Sequence, residues 1–140
     1  MQPAMLFPDA ERLVVVHLRA TLRLRVDPHL QEVNVATRMP PATTPGRYLL
    51  VRRVGGTRAS TVVDAPRIDI MAWHDTDDAR MGLAQFARGQ LLALPGHLVD
   101  GTPVYRVGEL TGPINMPDPL NDSRTVTMLT VEIRLRGAAA

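Results

Sequence analysis

Residues 64–96 read DAPRIDIMAWHDTDDARMGLAQFARGQLLALPG, and their change of period decides the fold class. From Arg67 to Trp73 the pattern alternates. Ile68, Ile70 and Ala72 fall on one face and Arg67, Asp69, Met71 and Trp73 on the other, as a half-buried strand requires. The alternation stops at His74-Asp75-Thr76-Asp77-Asp78. Asp75 or Thr76 can accept bonds from the unpaired amides that open a helix. Asp77 and Asp78 then lie in the first turn, where the helix dipole favours negative charge. Ala79, Leu83, Phe86, Ala87, Gln90 and Leu94 recur at helical spacing until Pro95-Gly96 ends the run. A strand handed directly to a helix implies a mixed α and β core.

Outward from this segment, Ala10 to about Val26 reads as a first helix. Ala10, Leu13, Val14, His17, Thr21 and Leu24 share one side of it, and Arg12, Arg19 and Arg23 the other. Its end, LRLRV, also alternates like a strand, and Asp27-Pro28 breaks the run. Val33–Thr37 is a short strand, followed by a loop, RMPPATTPG, with three prolines. Arg47–Val54 is a strand, and Gly55-Gly56-Thr57-Arg58 is expected to turn it back into Ser60–Asp64 as a hairpin. Ala65-Pro66 is expected to form a bulge. Val104–Leu110 is a strand, and Thr111–Ser123 reads as a long irregular loop. In the closing strand Leu129, Val131, Ile133 and Leu135 alternate with Met128, Thr130, Glu132, Arg134 and Arg136. Gly137 and three alanines form a flexible tail with nothing to bury.

The order α-β-β-β-α-β-β predicts an α+β fold: a mostly antiparallel sheet of four to five strands with two helices packed on one face. At 140 residues the chain forms a single domain, with residues 1–8 as an N-terminal arm. One face of the sheet then lacks a helical cover. Met71, Trp73 and Tyr105, together with Met128, are its expected apolar members. A half-apolar open face with free strand edges favours self-assembly.

Composition excludes several classes of function. There is no cysteine, so neither a disulfide framework nor a thiolate metal site exists. The start of the chain lacks the basic region of a signal peptide, and no apolar run approaches the ~20 residues of a membrane span. The two serines, Ser60 and Ser123, stand outside any nucleophile motif. The four histidines show no zinc-binding spacing. The cluster His74, Asp75, Asp77 and Asp78 can be drawn as an acid–base or metal site, but helix capping accounts for it. No catalytic residue, metal or cofactor is therefore expected, and the chain reads as a non-enzyme.

All 16 basic residues are arginine. Arginine suits bidentate binding of phosphate and carboxylate, and the codon usage of a GC-rich genome gives the same pattern. Residues 1–58 hold nine arginines against four acids, and residues 59–140 seven against ten. The net charge of +2 is too small to demand a polyanion partner.

The hairpin YLLVRRVGG, the strand PRIDIMAWH, the helix TDDARMGLAQFARGQLLALPG, the loop GPINMPDPLNDS and the strand TVEIRLRG cover most of residues 47–137. Together they resemble tail terminator (tail completion) proteins of long-tailed, siphovirus-type bacteriophages, in particular those of actinobacteria. The resemblance implies a structural subunit of the virion, assembled in the host cytoplasm and placed at the head–tail junction. Copies would close a homo-oligomeric ring, commonly a hexamer. That ring would cap the major tail tube protein, stop its polymerisation and meet a head-closure or connector protein, while genomic DNA passes through the lumen. No membrane is involved. Arg52, Arg53 and Arg58 are candidates for the channel lining. Candidate contacts with neighbours fall in the first proline loop, at Arg38, Pro40, Pro41 and Pro45. Others lie on the uncovered face at Met71, Trp73 and Tyr105, and in the second loop at Ile114, Met116, Pro117 and Asp118. A connector ring of the same junction and an Arg-rich DNA-binding accessory are the alternatives.

Overall fold

The structure, a computed structural model, describes residues 4–140. The first helix, α1, spans Ala10–Arg23; Asp9 caps it by accepting from the Arg12 amide. It buries Ala10, Leu13, Val14, Val15, Leu18 and Leu22. It ends three residues before the sequence reading, so Leu24 is exposed rather than part of the apolar face. Arg19, expected on the solvated side, donates twice to the Val35 carbonyl, through Nε at 3.0 Å and Nη2 at 2.7 Å.

A short 3-10 turn at Pro28–Leu30 leads into strand β2 (Asn34–Ala36), with β1 (Met5–Leu6) preceding α1. Strands β3 (Tyr48–Gly55), β4 (Val63–Asp64) and β5 (Arg67–Trp73) follow. Helix α2 (Asp77–Leu92) is capped by the Thr76 hydroxyl, which accepts from the Ala79 amide at 3.2 Å. The remaining strands are β6 (Leu98–Val99), β7 (Thr102–Asp118), β8 (Asn121–Arg136) and β9 (Ala138–Ala139).

The main sheet runs β2-β3-β5-β8-β7-β6, with β4 also on β8. Apart from the parallel β2–β3 pair, its pairings are antiparallel. Both helices lie on one face, over Leu49, Val51, Ile68, Ile70, Ala72, Leu129, Val131, Ile133 and Leu135. The expected α+β architecture, with its helices to one side, is the observed one.

Four local expectations are corrected. Residues 111–123 are not an irregular loop: β7 and β8 pair along their length and leave only Pro119 and Leu120 between the strands. The prolines are accommodated because β7 pairs only with β8 beyond Pro103, so its outer edge has no ladder bonds for Pro113 or Pro117 to break. The expected β3–β4 hairpin is reduced to a single bridge between Arg58 and Asp64; β3 pairs with β5, and β4 with β8. Ala65-Pro66 makes no bulge against β8, because the register is the same before and after it, and the Ile133 amide bonds the Pro66 carbonyl. The irregularity lies instead on β3, between Arg53 and Gly55. The closing alanines are not a free tail, since Ala138–Ala139 pair with Met5–Leu6. Residues 1–3 of the expected N-terminal arm lie outside the described residues.

Gly56 is where the chain leaves β3, at φ +88°, and an added Cβ would stand 2.2 Å from the Ala65 carbonyl oxygen. Gly89 sits inside α2 with nothing near its missing Cβ. The two positions predict opposite signs. Gly56→Ala is expected to destabilise by about 2 kcal/mol or more, from backbone strain and a steric clash. Gly89→Ala is expected to stabilise by up to about 1 kcal/mol through helix propensity. Urea unfolding of the two variants checks both.

Candidate functional site

The face of the sheet opposite the helices is organised in cross-strand rows, because directly paired residues of an antiparallel sheet point the same way. In the row nearest the α2 end, Tyr48 pairs with Trp73, and Val126 with Met116. The next row is Leu50, Met71, Met128 and Ile114. Then come Arg52, Asp69, Thr130 and Thr111, followed by Arg67, Glu132 and Gly108, and by the opposed pair Arg134 and Arg106. One end of the face is apolar and the other is charged.

The first row is covered from within the subunit. Tyr48, Leu50, Trp73 and Val126 form a second buried cluster, packed by Ala36, Met39, Met71, Met116 and Leu120. The Tyr48 and Trp73 rings meet edge to face at 6.0 Å. The loop carrying Met39 comes down onto the sheet, and the Tyr48 hydroxyl donates to the Arg38 carbonyl at 2.5 Å.

A single carboxylate fastens this cover. Asp118, at the tip of the β7–β8 hairpin, is 2 % exposed. It accepts from Trp73 Nε1 at 2.7 Å, from Arg124 Nε at 2.7 Å and from the Leu120 amide at 2.8 Å. Arg124 also donates to the Ala42 carbonyl at 2.8 Å, which ties the proline loop to the tip. Burial raises the pKa of Asp118, but the bonds from Leu120, Trp73 and Arg124 and the Arg124 charge outweigh it, so the carboxyl is held below its usual range. On the helix side a second buried polar chain runs from Arg80 Nε to Thr127 Oγ1 at 3.0 Å, and from that hydroxyl to Asn115 Oδ1 at 2.7 Å. The hairpin is therefore fixed on both faces.

The sequence-derived candidates separate on this scaffold. Trp73 and Asp118 are interior and meet each other, so neither side chain is open to a partner; they hold the tip in place. Pro40 is buried, Pro45 half-buried and Pro41 exposed. Met71 and Met116 are half-buried, while Tyr105, Ile114 and Pro117 are exposed. Arg38 is exposed and contributes its carbonyl to the cover.

The three arginines of the first hairpin do not form one basic tip. Arg53 is committed to Asp64 at 2.9 Å and to the carbonyls of Gly55 and Gly56, whereas Arg52 and Arg58 are exposed. Met39, Leu120 and Arg124 escaped the sequence reading. The available signal was a buried acid six residues before an arginine, but it requires knowing that the intervening chain turns back on itself.

Among the described residues no group of histidine and acidic side chains is arranged to hold a metal. His74 is fixed by the His29 carbonyl at 2.9 Å, and Asp75 by Arg47 at 3.1 Å. Asp77 pairs with Arg80 at 2.9 Å. The residues that looked like an acid–base cluster thus serve the strand-to-helix junction. No helix among the described residues is long and apolar enough to cross a membrane.

The Asp118 lock predicts a graded series. Asp118→Ala leaves the Trp73 N–H and the Arg124 guanidinium without their acceptor, at a cost of about 2–3 kcal/mol. Asp118→Asn keeps an acceptor for Trp73 and costs less. A carboxyl whose folded pKa is depressed contributes stability above its unfolded pKa and loses it as pH falls through the folded value. The gap between wild type and Asp118→Asn therefore closes on acidification below the usual carboxylate range. Trp73 is the only tryptophan, so its fluorescence reports the lock directly in urea and pH titrations.

No curated protein matches the chain closely enough to add a relative. A family model described as phage tail termination protein matches residues 6–139, nearly the whole chain. The match takes in both helices, the complete main sheet and the locked hairpin, and by it the chain belongs to the phage tail termination proteins, structural components of the virion tail.

Proposed function

We propose that copies of this chain close into a ring, six subunits around, that seats on the last ring of tail-tube protein and stops further addition. The opposite side of the ring presents the surface that a head-closure or connector protein meets, and genomic DNA passes through the lumen without sequence recognition. The observation that carries this reading is the half-covered sheet face. Its Leu50–Met71–Met128–Ile114 row is apolar, partly open at Met71 and Met128, and exposed at Ile114. An apolar band of this kind on an otherwise well-packed subunit marks an interaction surface.

The proline-bearing cover and hairpin tip are the natural reaches toward neighbours. Pro41, Pro45 and Pro117 restrict the backbone before docking and so reduce the entropy lost on association. Of the arginines considered for a channel lining, Arg52 and Arg58 are available, and Arg53 is held by Asp64. Non-specific attraction to phosphate falls steeply with salt, which suits a lumen that DNA must traverse rather than occupy.

Sedimentation and negative-stain electron microscopy of the purified chain test the reading. Rings are expected, together with shortened, capped tubes when the chain is added to polymerising tube subunits. A persistent monomer that leaves tube length unchanged would overturn it. Salt-dependent duplex binding by that monomer would favour the DNA-binding accessory instead.

A further inference from the structure

A ring that closes by rotation joins two unlike patches of the same subunit, one on each side of every interface. The bare Met71–Met128–Ile114 row supplies one apolar patch. The chain carries a second on the opposite side of the molecule. Leu24 is 83 % exposed and Val26 90 %, the two highest values among its exposed large apolar residues, and they stand two positions apart. Scattered single apolar side chains on a surface are ordinary; a close pair this exposed is not.

The pair sits on a pinned turn rather than a loose loop. The Leu24 and Arg25 amides bond the carbonyls of Thr21 and Leu22. Gln31 Nε2 donates to the Arg25 carbonyl at 2.7 Å, and Arg25 pairs with Asp27 at 2.9 Å. The turn is laid over α2, with the Arg25 guanidinium 5.9 Å from the Phe86 ring centre and the His29 carbonyl bonded to His74. It therefore projects from the helix layer, behind the sheet, with its conformation already set. A preorganised apolar knob loses little entropy on docking. The row it would meet is soft, since unbranched methionine side chains adapt to an incoming shape.

We propose that Leu24 and Val26 of one copy dock on the Met71–Met128–Ile114 row of the next, as the repeating head-to-tail contact of the assembly. The inference rests on the ring reading and adds to it the two surfaces that meet. Because knob and row lie on opposite layers, a subunit engaged through one keeps the other free, which is the condition for continuing to a closed circle.

Two variants test it. Leu24→Glu/Val26→Glu removes the knob at exposed positions, and Ile114→Glu alone or with Met128→Glu removes the row. Each should sediment at the monomer mass of 15.4 kDa, with Trp73 fluorescence and urea midpoint close to wild type. Mixed in equal amounts, the knob-less and row-less chains retain one intact interface between them and should form a 1:1 dimer that grows no further. Wild-type rings with unimpaired rings from Leu24→Glu/Val26→Glu would overturn this contact and leave the ring reading standing. A mixture that stays monomeric would overturn it as well, and a wild-type chain that never assembles would overturn both. If Ile114→Glu alone still assembles while the double variant unfolds, the row is not the acceptor and the proposal falls.

Discussion

Strand β8 is the constraint on which everything else in this subunit depends. One of its edges pairs with β4 and β5 in a single unbroken register, and the other carries β7 along nearly its whole length. Leu129, Val131, Ile133 and Leu135 point from β8 into the helix-covered core, and none has accessible surface. A slip of one residue would turn all four to the other face and bring Thr130, Glu132 and Arg134 inward. The hydrophobic alternation of one strand thus fixes the register of three others and decides which side chains reach the bare face.

The irregularities of β7 follow from the same pairing. Register shifts occur between Val104 and Arg106, between Glu109 and Thr111, and between Thr111 and Ile114. Each places extra residues of β7 opposite a regular β8, which bends and twists the pair. Tyr105 and Leu110 fall in these shifts and are exposed. The two outer edges of the sheet differ. On β2, the Val35 carbonyl is occupied by the Arg19 guanidinium from α1, a side-chain block of the kind that discourages edge-to-edge pairing. On β7, bulges and prolines do the corresponding work. Lateral growth of the sheet is therefore disfavoured at both ends, and its faces are left as the places for specific contact.

What was legible in the sequence is what local pattern controls. The period change at His74 marked the β5–α2 junction because alternation and capping are both short-range signals, and Thr76 is the cap observed. The inward set on β8 and the absence of helical cover over Met71 and Met128 followed from parity alone. The illegible parts depend on partners distant along the chain. Pro113 and Pro117 read as loop residues because nothing nearby reveals that their amides face an unpaired edge. Trp73 has the parity of an open face, yet it is buried by Met39, Met116 and Leu120, which arrive from two other segments. Arg53 looked like free charge until Asp64 was brought beside it by the β4–β8 pairing.

Burying a carboxylate at a hairpin tip is costly unless its bonds are made, and an apolar residue at position 118 would cover Trp73 without that risk. What Asp118 supplies is geometry. Its three donors come from β5, from the turn at Leu120 and from β8 at Arg124, and Arg124 in turn holds the loop at Ala42. Only one arrangement of tip, sheet and loop satisfies all of them, whereas apolar packing tolerates several. The adjoining row of Met71 and Met128 has the opposite character, deformable and unsatisfied. Fixing the frame while leaving the contact surface soft lets a small subunit present a defined shape and still adjust to its neighbour. A ring needs both, because an error of a few degrees in each repeat would prevent closure.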